Sequence, residues 1–158
     1  MGLVNRIAAA ALRIFAGLLL LSMMALTVVD VIGRYLFSAP VGGAFEATEV
    51  MLALVVFAGL PIVTGRREHI AVSLFLDRLP ERARAGLAFA GDVLVLLLLA
   101  GAAFLLYRKG ADLSAWGDAT VLLGIPLGPV AYALAAFAAL AVLAAARVVA
   151  LHLVGRRN

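Results

Sequence analysis

The chain has 158 residues, of which 66% are hydrophobic, and its formal net charge is +4. A soluble domain averages about 45–50% apolar residues, and a chain of this length buries only about two-thirds of its surface, so lipid must solvate most of this one. The sequence contains no cysteine, which excludes disulfides and cysteine-ligated metals or clusters. Positive charge in such a chain reports which side of a bilayer a loop occupies, and no nucleic-acid partner is expected.

Four stretches are long and apolar enough to span a bilayer, which requires about 20 residues. They cover approximately residues 8–29, 45–64, 87–107 and 128–153. The first exceeds the apolar core of a signal peptide, about 7–15 residues, and lacks a convincing cleavage site, so it is predicted to be a retained helix. The sequence therefore predicts an all-α membrane protein, with a single four-helix membrane domain over residues 1–158.

Charged residues cluster where the first span ends and the second begins. Asp30 and Arg34 lie one helical turn apart and are expected to pair, while Glu46 and Glu49 share a face at the start of the second helix. Arg34 is therefore expected to meet Asp30, Glu46 or Glu49. We interpret the cluster as structural, because the middle of every span lacks the polar lining that a translocation path needs. A cation or proton site at Glu46 and Glu49 stays open as the alternative, since ionisable residues within membranes are often functional.

The second loop is predicted to contain an amphipathic interfacial helix over about residues 70–79. Its apolar side chains fall on one helical face, as in a helix that lies flat on a membrane. We favour a connector held by lipid over a binding motif. No cofactor is expected. Basic side chains in and beside this loop are placed to contact a phospholipid headgroup. These side chains are Arg66, Arg67, Arg78 and Arg82.

The third loop and the fourth span contain features of helix anchoring and helix packing. Trp116 is a natural anchor at a membrane interface. In the fourth span, Ala131, Ala135 and Ala139 recur every four residues. This spacing of small residues permits close contact with a neighbouring helix.

The basic residues also predict the orientation of the four spans. Ten of the 13 Lys and Arg residues lie in the terminal regions and the second loop, and the other three lie in the first and third loops. Cytoplasmic segments carry an excess of Lys and Arg. Both termini and the second loop are therefore expected in the cytoplasm.

Motifs that would indicate an enzyme are absent from the sequence. There is no H-E-x-x-H, no G-x-S-x-G and no P-loop. The only histidines, His69 and His152, lie towards the same side of the membrane, which argues against a bis-histidine haem and hence against a membrane anchor for a redox enzyme. The chain is predicted not to be an enzyme.

Three blocks follow one another along the chain: DVIGRYLF with EATEVMLALVVFAGLP, then GRREHIAVSLFLDRLP, then TVLLGIPLG. Together with the four-helix pattern, they resemble the small membrane subunit of tripartite ATP-independent periplasmic (TRAP) transporters, the DctQ-like family. The resemblance covers essentially the whole chain. The positions that match the family pattern are Asp30, Arg34, Glu46, Glu49, His69, Gly124 and Pro126.

This resemblance implies a scaffold in the bacterial inner membrane that has no transport site of its own. The implied partners are a large membrane subunit, which carries the substrate and sodium sites and moves as an elevator, and a periplasmic substrate-binding protein, which delivers an organic acid. On this interpretation, Asp30 and Arg34 brace the first helix against the second through Glu46 or Glu49. The rival interpretation is a self-sufficient four-helix transporter that uses Glu46 or Glu49 for proton coupling.

Overall fold

The computed structural model describes the backbone of residues 3–66 and 81–155 and the side chains of residues 7–65 and 86–152. These residues form four α-helices, which are α1 (Leu3–Leu36), α2 (Ala44–Arg66), α3 (Glu81–Trp116) and α4 (Leu127–Gly155). Each contains a segment long and apolar enough to cross a membrane. The prediction of an all-helical chain with four such segments is confirmed.

Some of the predicted features lie outside the described residues. They include the interfacial helix at about 70–79, with Arg67, His69 and Arg78. The backbones of Arg66 and Arg82 belong to the end of α2 and the start of α3, but their side chains are not among those described. The headgroup contacts expected of Arg66, Arg67, Arg78 and Arg82 stay predictions.

Two of the helices are longer than the predicted spans. α1 has 34 residues and α3 has 36, which correspond to about 51 and 54 Å at a rise of about 1.5 Å per residue. The predicted windows included apolar residues only, whereas a helix continues until a residue adopts backbone angles that end it. α3 ends at Gly117, where φ is 69° and the N–H of Asp118 donates to the carbonyl of Leu113 at 3.0 Å. Residues 108–116, expected in a loop, are therefore helical.

α4 is central to the packing of the helices. It packs most extensively against α3 and also against α2, and α2 in turn packs against α1. In the core, Leu99 of α3 meets Ala141 and Ala145 of α4, and Leu60 of α2 lies against this cluster. The neighbour order α1–α2–α4–α3 leaves α1 and α3 on the flanks.

Small side chains on α4 allow the close packing. Ala131, Ala135, Ala138 and Ala145 are buried, whereas Ala139 is exposed. The expectation is thus confirmed at the first two predicted positions and wrong at the third. The reason is that a buried helical seam advances by three and four residues in alternation, so a strict spacing of four drifts off the contact face.

The molecule has two ends that differ in their connections. We call the end that carries the α1–α2 connection (residues 37–43) and the α3–α4 connection (residues 117–126) the connection end. The opposite end, where α1 and α3 begin and α2 and α4 finish, is the terminal end. The predicted polar cluster lies at the connection end.

Candidate functional site

Asp30 and Arg34 form the first polar group of the connection end. Nη2 of Arg34 donates to Oδ2 of Asp30 at 2.9 Å, so the predicted pair is confirmed. The other oxygen of the same carboxylate, Oδ1, accepts the backbone N–H of Val41 at 2.9 Å. The Asp30 side chain is only 16% exposed, against 58% for Arg34. Asp30 therefore ties α1 to the α1–α2 connection, and Arg34 is the outer partner.

The local backbone explains why the connection reaches back to Asp30. The carbonyl of Gly33 accepts the N–H groups of Phe37 at 3.2 Å and Ala39 at 2.9 Å. Between these two donors, Ser38 has φ 53°, in the left-handed region that a serine seldom adopts. This turn ends α1 and reverses the chain, which brings Val41 beside the last turns of the helix.

Glu46 forms the second polar group, in the first turn of α2. Its Oε1 accepts the backbone N–H of Leu122 at 2.9 Å, and its Oε2 accepts that of Leu123 at 3.0 Å. An ionised carboxylate is an acceptor only, and backbone N–H groups require partners, so each side satisfies the other. Of the three carboxylates that the sequence offered to Arg34, the structure selects Asp30, and Glu46 is held instead by backbone donors 76 and 77 residues further along the chain.

The α3–α4 connection is a compact hairpin that presents these donors. Ala119 and Pro126 form an antiparallel bridge, and the N–H of Thr120 donates to the carbonyl of Ile125 at 3.0 Å. The Thr120 hydroxyl accepts the N–H of Ile125 at 3.0 Å. Gly124, with φ 64°, donates its N–H to the Thr120 carbonyl at 3.0 Å. The two family-pattern positions Gly124 and Pro126 thus belong to the hairpin whose N–H groups donate to Glu46.

The close approach of α2 to this hairpin depends on Gly43. Its φ is 79°, and a β-carbon at this position would collide with the side chain of Leu123. The neighbouring Gly42 has no atoms within 4 Å of the corresponding position. Only glycine combines this backbone conformation with the absence of a side chain, so Gly43 sets the distance between the start of α2 and the hairpin.

Glu49 joins neither polar group. It lies about one turn further along α2, and its side chain is exposed. Among the described residues it makes no hydrogen bond or ion pair, so it is not the carboxylate that Arg34 selects. The residues that share its exposed stripe are apolar: Phe45 is 75% exposed, Leu52 50% and Val56 53%.

One polar contact at the terminal end escaped prediction. Nδ1 of His152 in α4 lies 2.8 Å from Oδ2 of Asp92 in α3, and both side chains are about a quarter exposed. The ring of Phe89 lies beside the imidazole, with 6.4 Å between ring centroids. Their pairing depends on the α3–α4 packing register, which the sequence does not reveal.

The described arrangement can hold connections and helix ends together. Among the described side chains, those of residues 7–65 and 86–152, no three from His, Cys, Asp or Glu come close enough to hold a metal ion. The carboxylates of Asp30 and Glu46 are each engaged by at least one backbone donor. The geometry of the connection end is therefore that of two fixed joints between helices and connections.

A comparison with family models gives one finding that bears on these joints. The model described as "Tripartite ATP-independent periplasmic transporters, DctQ component" matches residues 23–155. The matched range contains both polar groups of the connection end and the Asp92–His152 contact. A search of the curated proteins gave no match.

Proposed function

The chain belongs to the family of DctQ components of tripartite ATP-independent periplasmic transporters, and we propose that this small permease subunit is a scaffold for a larger, elevator-type membrane subunit. A periplasmic binding protein delivers an organic acid to the pair, and a sodium gradient drives uptake through the large subunit. The family is one of transporter components, not of enzymes.

The observation that carries the scaffold proposal is how Glu46 is used. A coupling carboxylate must release its partners in order to exchange a proton or a cation during each transport cycle. The carboxylate of Glu46 instead accepts two backbone N–H groups of the α3–α4 connection. This supports a carboxylate that joins elements of a static subunit, and transport is assigned to the large subunit.

The proposed placement is in a bacterial inner membrane, with the connection end towards the periplasm. The excess of Lys and Arg in the terminal regions and the second loop supports cytoplasmic termini. In this orientation the segment at about residues 70–79 lies on the cytoplasmic surface. No cofactor is expected. Basic side chains in and beside this segment would contact phospholipid headgroups, namely Arg66, Arg67, Arg78 and Arg82.

Cysteine labelling tests this orientation, because the chain has no cysteine of its own. Single cysteines are introduced at Ser38, in the α1–α2 connection, and at Asn158, the last residue. A thiol reagent that cannot cross membranes should label only the first in intact cells and both after lysis. Labelling of position 158 alone in intact cells would reverse the proposed orientation.

Reconstitution tests the function itself. Vesicles with the large subunit, this chain and the binding protein should accumulate an organic acid when sodium is higher outside, and vesicles without this chain should accumulate far less. Vesicles with this chain alone should accumulate none. The rival function, proton coupling by Glu46 or Glu49, requires the opposite: transport by this chain alone, driven by a proton gradient and lost in Glu46→Gln or in Glu49→Gln.

A further inference from the structure

We propose that Arg13 of α1 binds the phosphate of a phospholipid, and that the leaflet at the terminal end is locally thinned beside this helix. Arg13 is exposed and belongs to a helix on the flank of the molecule. The ligand class is a lipid headgroup, and the group bound is its phosphate. The inference goes beyond the proposed function and holds for either orientation in the membrane, because it rests on the depth and the chemistry of one side chain.

The length of α2 gives the depth of Arg13. Asp30 accepts the N–H of Val41, so it lies level with the start of α2. α2 has 23 residues, or about 34 Å, and an equal length of α1, counted from Asp30, ends near Ile7. Arg13 lies about 9 Å short of that point. At most about 4 Å of α2 can lie outside a hydrocarbon layer of about 30 Å, so the α-carbon of Arg13 is about 5 Å or more inside the layer.

A contact between α1 and α4 supports the same depth. The rings of Phe15 and Phe137 lie 5.9 Å apart between centroids, so the two residues are at similar levels. Arg13 is about 3 Å nearer the terminal end than Phe15, whereas Arg147 is about 15 Å nearer the terminal end than Phe137. Arg13 therefore lies about 12 Å further from the terminal end than the basic residue of α4.

The side chain of Arg13 is directed towards the terminal end. Its Nε donates to the carbonyl of Ala9 at 3.0 Å, and Ala9 lies one helical turn nearer that end. Long Arg side chains inside a membrane reach the interface in this way. The bond uses one of the five N–H donors of the guanidinium. Among the described residues, the other four donors make no hydrogen bond or ion pair.

The free edge of the guanidinium fits a phosphate. The group stays charged in proteins, and its two terminal nitrogens match two phosphate oxygens. The side chains that follow Arg13 on its face of α1 carry no acceptor other than sulfur; they are the exposed Gly17, Leu20 and Met24. Lipid phosphates are the anions found beside an exposed membrane helix. Because the headgroups lie outside the hydrocarbon layer, a phosphate must move inward to meet Arg13, which thins the leaflet.

Two other molecules fit this face less well. A second copy of the chain, docked through the same face about a two-fold axis, would bring Arg13 close to its own copy, and like charges repel. An acidic side chain of another protein would satisfy the charge. That alternative predicts that lipid binding by the isolated chain does not depend on Arg13.

Native mass analysis of the isolated chain tests the lipid contact. The purified chain is titrated with dioleoylphosphatidylglycerol in detergent, and the lipids retained per chain are counted. Arg13→Gln should reduce the most highly loaded species by about fivefold, the effect of one basic residue at a membrane surface. Arg13→Lys keeps the charge without the paired nitrogens and should reduce it less. Arg34→Gln is the matched control, since it removes an equal charge from a guanidinium that Asp30 already binds, and loading should not change.

The outcomes distinguish lipid from other ligands. Unchanged loading of Arg13→Gln, or an equal loss for Arg34→Gln, overturns the inference. Inorganic phosphate at the same concentration as the lipid should not displace it. Displacement would indicate an anion site reached from water and would overturn the assignment to lipid.

A depth measurement tests the thinning, because the chain has no cysteine and single cysteines can carry a nitroxide. The labelled positions are Ile14→Cys, beside Arg13, and the control Leu143→Cys on α4; the native side chains are 65% and 67% exposed. Collisions with oxygen and with a water-soluble nickel reagent give the depth of each label in phosphatidylglycerol vesicles. Arg13→Leu should release the leaflet and deepen the label at position 14 by a few ångström, with no change at position 143. An unchanged depth at position 14, or equal changes at both positions, overturns the thinning.

Discussion

The connection end and the terminal end join helices by different kinds of contact. At the connection end, the carboxylates of Asp30 and Glu46 accept backbone N–H groups. At the terminal end, one polar contact joins two side chains, Asp92 and His152. Most substitutions leave a backbone donor in place, so each joint of the first kind depends on one side chain, whereas the second kind needs both. The connection end is therefore held by hydrogen bonds to the backbone. The contact at the terminal end is lost when either Asp92 or His152 is replaced.

Gly43→Val should break the connection end most severely. The new side chain would meet Leu123, and valine strongly disfavours a φ of 79°. Backbone strain and overpacking together should cost about 3 kcal/mol, seen as a lower Tm of the purified chain in detergent. Gly42→Val is the matched control, because no atoms lie within 4 Å of a β-carbon there. Equal losses at both positions would contradict the close approach at Gly43.

Glu46→Ala should have the next largest effect, because two backbone N–H groups of the α3–α4 connection lose their acceptor. We expect a fall in Tm of about 4 °C. Glu46→Gln keeps one acceptor oxygen, so its Tm should lie between those of the unchanged chain and Glu46→Ala. Glu49→Ala is the control in the isolated chain and should leave the Tm unchanged, since Glu49 has no partner among the described residues. A fall in Tm for Glu49→Ala as large as that for Glu46→Ala would count against the assigned partners.

The Asp92–His152 contact should contribute less, because it consists of a single nitrogen–oxygen contact, and one such contact contributes only about 0.5–1.5 kcal/mol. A double-mutant cycle with Asp92→Asn and His152→Gln should give a coupling energy of about 0.5 kcal/mol. Denaturation of the single and double variants measures it. Additive effects of the two substitutions would mean that the side chains do not interact, and the contrast between the two ends would then disappear.

Val121→Ser should have the smallest effect. Val121 is at the tip of the α3–α4 hairpin and is 94% exposed, so its side chain contributes no burial, and the Tm should change by about 1 °C or less. Leu123→Ser is the comparison, because Leu123 lies against Gly43 and its loss should lower the Tm. A fall in Tm for Val121→Ser would show that the tip packs more tightly than its exposure indicates.

Much of the fold could be predicted, because lipid imposes a minimum apolar length on every spanning helix. The same rule cannot locate the ends of a helix that extends beyond the bilayer. α3 continues to Trp116 because Tyr107, Arg108 and Lys109 tolerate a helix although they are not apolar throughout. The turn at Gly117 ends it, and a glycine alone was too weak a signal to fix that boundary.

Pairing in the polar site could be predicted only where the two residues are local. Asp30 and Arg34 lie one turn apart on one helix, so helical geometry was enough. The partners of Glu46 are backbone groups 76 and 77 residues away, and backbone donors have no signature in a sequence. The Asp92–His152 contact depends on how α3 and α4 slide against each other, which packing alone decides.

The joint between Glu46 and the α3–α4 hairpin also dictates an order of events during synthesis. Ribosomes add about 5–20 residues per second, so roughly 4–15 s separate the emergence of Glu46 from that of the hairpin. α2 is complete once Arg66 has been added, so for most of this interval the carboxylate of Glu46 lacks the hairpin donors. The nascent chain can therefore complete this end only once α4 begins to insert, and a chain truncated after α3 should be a substrate for membrane proteases.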